Sequence, residues 1–237
     1  MSKSLTLYTF PSPHGKSVAV ALEELELSCE PWDILAILCF DNKRPGRSPA
    51  LVDHTNGDYA VFESSAILLY LAQRFDPQHK ISFDPIKEFN LYNEDIQWLF
   101  FAHGGVGPIS ETKQLSNQTG TSDEVKRLYS VVEKRLEGRE WLVGTHYGLA
   151  DIKTFVWLMG GPFVEVELEP YPNIRAWIKR IQDRPKTYKG LGVPSRSKLE
   201  EQMKVDKEVS VDILAKHPAL RDEGAADQAA VKTVSPV

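Results

Sequence analysis

Three short segments within the first 67 residues carry side chains that could do chemistry together. The first is Thr9-Phe10-Pro11-Ser12-Pro13-His14-Gly15, between a strand-like run and a helical one. A helix N-terminus presents free backbone N–H groups and the positive end of the dipole, so it favours anions. A hydroxyl placed there can donate to a bound thiolate. Lowering a thiol by two units from about 8.5 corresponds to roughly 2.7 kcal/mol of thiolate stabilisation. Ser12 and Thr9 are the candidate donors, and both can equally serve only to cap the helix and shape the turn. His14, whose ordinary pKa is near 6.5, reads equally as a proton carrier and as an exposed loop residue.

The second segment is Gly46-Arg47-Ser48-Pro49-Ala50-Leu51-Val52. A proline opening a strand after a glycine turn is a candidate cis peptide, and an ordinary trans loop proline is the alternative. In the cis form the neighbouring backbone N–H and C=O can pair with a peptide-like ligand as an added strand would. The third is Phe62-Glu63-Ser64-Ser65-Ala66-Ile67, where a carboxylate and a hydroxyl stand at a strand-to-helix junction. There Ser64 and the free N–H groups could hold a ligand carboxylate and Glu63 an ammonium, or Ser64 could act as a cap alone.

The elements that must position these segments follow from periodicity. Leu5-Thr6-Leu7-Tyr8 alternates as a strand does. Val18, Leu22 and Leu25 recur at helical spacing over 17–27. Glu30 to Leu35 forms a second strand, and Pro49 to Asp53 a third. Asn56-Gly57 signals a hairpin to a fourth strand, Tyr59 to Phe62. Ser64 to Arg74 returns to helical spacing. This order describes an α/β unit with a mixed sheet.

Beyond Asp76-Pro77 the helical period dominates. Pro85 suits a first helical turn, and Leu91, Ile96, Trp98, Leu99 and Phe101 form an apolar helix running into Gly104-Gly105-Val106-Gly107-Pro108. Thr121 and Glu124 form a capping box. Leu149 to Met159 is apolar nearly all round and predicts a buried helix. Pro172 opens another, with Ile174, Trp177, Ile178 and Ile181 on one face, which stops before Arg184-Pro185. The expected organisation is an α/β domain over 1–80, a helical domain over 85–195 and a C-terminal extension over 196–237 that is rich in Lys, Glu, Asp and Ala. No internal repeat is found.

Composition narrows the function classes. The 237 residues are 42% hydrophobic, enough to build a core, which excludes disorder over the whole length. A net charge of −5 without a long basic run argues against nucleic acid as a partner. Cys29 and Cys39 are too few and wrongly spaced for a disulfide scaffold or a zinc pair. The six histidines show no i, i+4 pair, so no metal is expected. The longest uncharged apolar run, Ile34 to Phe40, is far too short to span a bilayer, and no apolar signal region follows Met1. A cytoplasmic setting is the expectation.

Together the three segments resemble the glutathione S-transferase superfamily. The resemblance rests on Gly-Arg-x-Pro-Ala-Leu-Val-Asp at 46–53 and Val-Phe-Glu-Ser-x-Ala-Ile-Leu-x-Tyr-Leu at 61–71. The helical half adds Trp98, Gly104 to Pro108, Glu137 to Leu142 and Ala150-Asp151-Ile152. These are similar to the fungal branch related to the yeast nitrogen-catabolite regulator and to bacterial disulfide-reductase transferases. The resemblance covers roughly residues 5–195. It implies a thioredoxin-like domain that binds glutathione as cosubstrate, a helical-bundle domain lining the acceptor pocket, and a homodimer.

Carried over by position, Glu63 and Ser64 hold the γ-glutamyl end, Ser48 before a cis Pro49 pairs with the cysteinyl part, and Arg47 lies beside that loop. Phe10, Phe101 and His103 border the acceptor pocket, and Asp151 takes the helix-capping position of the second domain. Several positions depart from the branch. Ser12-Pro13-His14-Gly15 stands where Thr-Pro-Asn-Gly is usual, with the Asn near the sulfur. Ser48 replaces Val or Ile, the 36–44 segment is short, and Gly148 replaces a Ser or Thr cap.

The reading that follows is an enzyme that activates the glutathione thiolate toward a hydrophobic electrophilic small molecule. Two alternatives accompany it. One is a repurposed isomerase, dehydratase or cyclase of fungal secondary metabolism. The other is a non-catalytic regulatory or binding protein that keeps the fold.

Overall fold

The computed structural model describes residues 4–10, 12–33, 48–115, 119–159 and 166–193. Arg47, Cys39, the 36–44 segment and the 196–237 extension lie outside them. The first half is a four-stranded sheet in the order β2-β1-β3-β4, built from β1 (Leu5–Thr9), β2 (Cys29–Asp33), β3 (Ala50–Asp53) and β4 (Tyr59–Phe62). β1 runs parallel to β2 and antiparallel to β3, with Leu7 opposite both Pro31 and Leu51. This is the expected mixed sheet of a thioredoxin-like unit. α1 (Pro13–Glu24) makes the β1–β2 crossover, and α2 (Ser64–Phe75) follows β4. Leu5, Leu7, Val18, Leu22, Ile67 and Leu71 are buried between sheet and helices.

The boundaries differ from expectation for local reasons. α1 starts at Pro13, four residues earlier than periodicity suggests, because Ser12 caps it and Pro13 suits a first turn. The β3–β4 link is a 3-10 turn over His54–Asn56, so the positive φ angles fall on Gly57 and Asp58, one residue beyond an Asn-Gly hairpin turn. Asp53 organises that link. Its buried carboxylate accepts from Thr55 N, Thr55 Oγ1 and the Tyr70 hydroxyl, and pairs with Arg74 at 2.7 Å. Burial alone would raise this carboxyl, but those bonds and the Arg74 charge hold it below its ordinary value. Tyr70 and Arg74 belong to α2, so the same group fastens α2 to the hairpin.

The second half is helical: α3 (Phe89–Phe101), α4 (Gly107–Leu115), α5 (Thr119–Arg135), α6 (Leu149–Leu158), α7 (Pro172–Gln182) and α8 (Pro185–Leu191). Pro85 lies in a turn before α3 and not in its first turn. The 104–108 glycine stretch does not end the helix. Ala102–Val106 widens into a π turn, with Gly107 N–H reaching back to Ala102 C=O, and α4 continues from it. α5 opens two residues before the Thr121 capping box. α8 was not foreseen. It docks on α1 through Arg184, whose guanidinium donates twice to Glu24 at 2.9 and 2.8 Å, with Thr187 Oγ1 adding a bond at 3.1 Å.

α6 is the central element, and all ten of its residues are buried, as its composition indicates. Gly148 caps it with no side chain to offer, and Asp151 compensates. Asp151 Oδ2 accepts from Gly148 N at 3.0 Å, while Oδ1 accepts from Leu142 N and Trp177 Nε1 at 2.9 and 2.8 Å. Asp95 of α3 lies beside this knot and accepts from Ala150 N at 3.0 Å. Burial, with the Asp151 carboxylate nearby, pushes the Asp95 carboxyl up to about 7.

That shift has a sign in pH. The folded carboxyl keeps its proton to about pH 7, whereas its ordinary value is 3.8. Its contribution to stability is therefore complete below about pH 4 and is lost as the pH rises through 7. Asp95→Asn keeps the acceptor for Ala150 and carries no charge. Urea unfolding at mildly acidic and mildly alkaline pH should show a larger loss of stability in the parent than in this variant.

Candidate functional site

The site forms where three helices meet: the N-termini of α1 and α2, and the face of α6 turned toward them. The α1 turn is tight. Ser12 Oγ accepts from Gly15 N at 3.3 Å, and Ser17 Oγ donates to His14 C=O at 2.7 Å. Thr9 is fully buried beneath the turn and spends its hydroxyl on Phe10 C=O at 3.3 Å, so it presents nothing to a ligand. Ser12 sits at the turn as the helix cap. Phe10 is 52% exposed beside it.

The Ser48-Pro49 bond is cis, as the segment suggested. Ser48 Oγ is buried without a hydrogen-bond partner among the described residues. At the α2 junction Glu63 takes a left-handed φ of 69°, costly for a residue with a Cβ, and acts as N-cap through its backbone alone. This corrects the capping role considered for Ser64, which is the first helical residue. The twist at Glu63 leaves its carboxylate half-exposed and turns the Ser64 hydroxyl inward.

Inward of Ser64 stands Lys153, from the middle of α6. It is fully buried, and its Nζ donates to Ser64 Oγ at 2.5 Å. His14 joins both: Nδ1 is 3.1 Å from Ser64 Oγ and 3.2 Å from Lys153 Nζ. One turn along α6, Trp157 meets the His14 ring edge-on at 5.0 Å. Trp157 fits there because Gly107 opposes it, where a Cβ would come within 3.0 Å of the indole.

His103 closes the cluster from the π turn, a distortion common at functional sites. Its Nδ1 lies 3.0 Å from Ser65 Oγ and its Nε2 3.6 Å from Glu63 Oε2. Burial, and then the Lys153 charge, lower this imidazole below its ordinary value despite Glu63. It is thus mainly neutral at pH 7. The His14 and His103 rings are 6.3 Å apart.

The structure therefore brings His14, Glu63, Ser64 and His103 together and leaves Thr9 beneath them. Phe101 packs on Trp98 at 5.2 Å, and exposed Phe100 stands 6.2 Å from His103. Three residues were missed: Lys153, Ser65 and Trp157. Lys153 had a signal, because it is the one cation in the apolar run Leu149 to Met159 and has no carboxylate three or four positions away. Among the described residues no group of three side chains could hold a metal ion. No helix among them is long and apolar enough to cross a membrane.

Chemically, two helix N-termini and the buried Lys153 converge on one polar cluster. That arrangement favours an anionic group, with the imidazoles of His14 and His103 at its edge.

The comparisons with known proteins agree. The family model of the glutathione S-transferase N-terminal domain matches residues 3–73, and that of the C-terminal domain matches 100–185. The chain is 31% identical to the disulfide-bond oxidoreductase YfcG of Escherichia coli, over 79% of this chain and 94% of the relative. It is 32% identical to glutathione S-transferase 2 of Schizosaccharomyces pombe, over 76% of this chain and 91% of the relative. Among solved structures it resembles Ure2p5 of Phanerochaete chrysosporium, cocrystallised with 1-(S-glutathionyl)-2,4-dinitrobenzene. There the TM-score is 0.75 at 29% identity, over 86% of this chain and 99% of that one.

The tightness of the α1 turn is testable. A Cβ on Gly15 would run into Thr9 Oγ1 and the Phe10 carbonyl oxygen, and the latter, a backbone atom, cannot swing aside. Gly15→Ala should cost about 1–3 kcal/mol of stability by urea unfolding.

Proposed function

The chain belongs to the glutathione S-transferase family, and on that premise we propose that it binds glutathione in the recess between α1, α2 and α6 and directs the thiolate at a hydrophobic electrophile. The observation that carries this reading is the convergence of the α1 and α2 N-termini on His14 and Ser64, beside a cis Ser48-Pro49. The first-turn N–H groups of α2 and the Glu63 carboxylate suit the carboxylate and ammonium of the γ-glutamyl end. The backbone before Pro49 suits the cysteinyl part. The α1 turn, with Ser12 and His14, suits the sulfur.

For an aryl halide the thiolate sulfur attacks the ring carbon that bears the halogen. The C–S bond forms, the halide leaves with the bonding pair, and the thiol proton has already gone to solvent or a base. The rate gain would come from thiolate formation at neutral pH and from positioning. Phe10, Phe100 and His103 border the space on the acceptor side.

A second reading is disulfide exchange, in which bound glutathione thiolate attacks a disulfide sulfur and expels the other as a thiolate. Similarity to the Escherichia coli oxidoreductase favours it. A homodimer belongs with either reading. Tyr59 and Phe62 on the edge strand β4 and Phe89 on α3 are each more than half exposed. Sedimentation velocity should give twice the 26.7 kDa chain mass.

Calorimetric titration tests the ligand. Glutathione should bind the parent, and Glu63→Gln should weaken it by roughly 1.5–3 kcal/mol, the worth of a charge-assisted hydrogen bond. No heat of binding in the parent would remove the glutathione reading. Binding without turnover of a 2,4-dinitrophenyl halide, together with reduction of a small disulfide, would select the second reading.

A further inference from the structure

The Glu63 carboxylate faces His103. Nε2 of that ring lies 3.6 Å from Glu63 Oε2, beyond a neutral hydrogen bond but within reach of an ion pair. The other end of the ring is anchored, with Nδ1 3.0 Å from the hydroxyl of buried Ser65. That contact, with the π turn that carries His103, turns Nε2 toward a carboxylate whose side chain is half-exposed.

Among the described residues, the groups around this imidazole act in opposite directions on its charge. Burial opposes protonation first, then Lys153 of α6, whereas Glu63 favours it. The His14 ring of α1 stands 6.3 Å away, and the apolar Phe100 ring of α3 stands 6.2 Å away. The balance leaves His103 neutral at pH 7 and lets it charge on acidification.

We propose that His103 is a positioning residue for Glu63: as a neutral imidazole it leaves the carboxylate open to a ligand ammonium, and as an imidazolium it takes that carboxylate for itself. The proposal rests on the glutathione reading, in which Glu63 holds the γ-glutamyl ammonium, and deepens it by naming the residue that controls that carboxylate. Facing a neutral ring, the carboxylate keeps its full charge for the ligand. Once the ring carries a proton, two cations contend for one carboxylate. The imidazolium is already fixed by Ser65 and has little ordering entropy left to lose. The coupling is reciprocal, so an ammonium seated on Glu63 makes His103 harder to protonate.

Two measurements on the full chain test this. The first needs no ligand. The titration of the His103 ring, followed by NMR and assigned by through-bond correlations, should move to lower pH in Glu63→Gln. An unmoved or raised titration overturns the proposal, and this arm decides it even where a His103 variant does not fold. The second is calorimetry with S-methylglutathione, which has no thiol proton, at about pH 7 and about pH 5.5, a window in which histidine titrates. Between the two, the parent should lose affinity about two- to fivefold more than His103→Gln does, the worth of a partly exposed ion pair. Any titration of His14 persists in the variant and cancels. A purely structural role for His103 would lower both affinities and leave their ratio as in the parent. Heat with the parent but equal ratios therefore overturns the proposal and keeps the glutathione reading. No heat with the parent at either pH removes the glutathione reading, and the ligand-free titration then decides whether His103 and Glu63 form the pair.

Discussion

The carboxylate of Asp151 accepts from the backbone N–H groups of Leu142 and Gly148 and from the indole of Trp177, all in the interior. Those bonds tie the start of α6 to the preceding loop and to α7. A helix with every residue buried has no solvent to satisfy its first N–H groups, so the alternative would be orphaned donors at 1–3 kcal/mol each, by a rough estimate. Gly148 cannot cap with a side chain, which leaves the task to Asp151. The fully buried part of the site that the helical half supplies rides on this one helix. Lys153 lies two residues beyond the knot and Trp157 one turn further, so the position of Asp151 sets where both meet His14.

The sheet half contributes the opposite kind of order. Its two site-bearing helices are fixed at their N-termini by turns that allow little choice. Gly15 must lie against Thr9 and the Phe10 carbonyl, Glu63 must adopt a left-handed φ, and Asp53 holds the hairpin to α2 through Tyr70 and Arg74. These restraints bring the positive ends of two helix dipoles to one place. Adding the Lys153 ammonium there would be unfavourable without something to accept its protons. Ser64 Oγ and His14 Nδ1 do so. A recess built this way is electrostatically prepared for an anion before any ligand arrives.

Within the glutathione S-transferase family the chain keeps the scaffold. The Ser48-Pro49 bond is cis, and Glu63 caps α2 at the strand-to-helix junction. The Ser64 hydroxyl faces His14 and Lys153. His103, neutral and bridging Ser65 and Glu63, ties the rim of the recess to the π turn of the helical half. One fold can host several chemistries through changes of this size, because only a few atoms touch the reacting centre.

The amino-acid sequence by itself determined the strands, the alternation of elements in the first half, and the buried α6 and α7. Each follows from local periodicity and turn chemistry, which act within a few residues. It also carried the Gly46–Asp53 and Val61–Leu71 segments, which offered a cis Pro49 as one of two readings and placed a carboxylate and a hydroxyl at the strand-to-helix junction. Boundaries slipped where the backbone overrode the pattern. α1 began at its Ser12 cap, the glycines of 104–107 widened a helix and did not end it, and Gly57-Asp58 took the turn geometry expected of Asn56-Gly57. Only the tertiary structure decided the site's chemistry. His14, Ser64, His103 and Lys153 are spread over 139 residues, and no spacing rule links a loop histidine to a lysine inside a distant apolar helix. Burial made the difference: an amine with no solvent must find acceptors wherever packing supplies them, and here packing supplied Ser64 and His14.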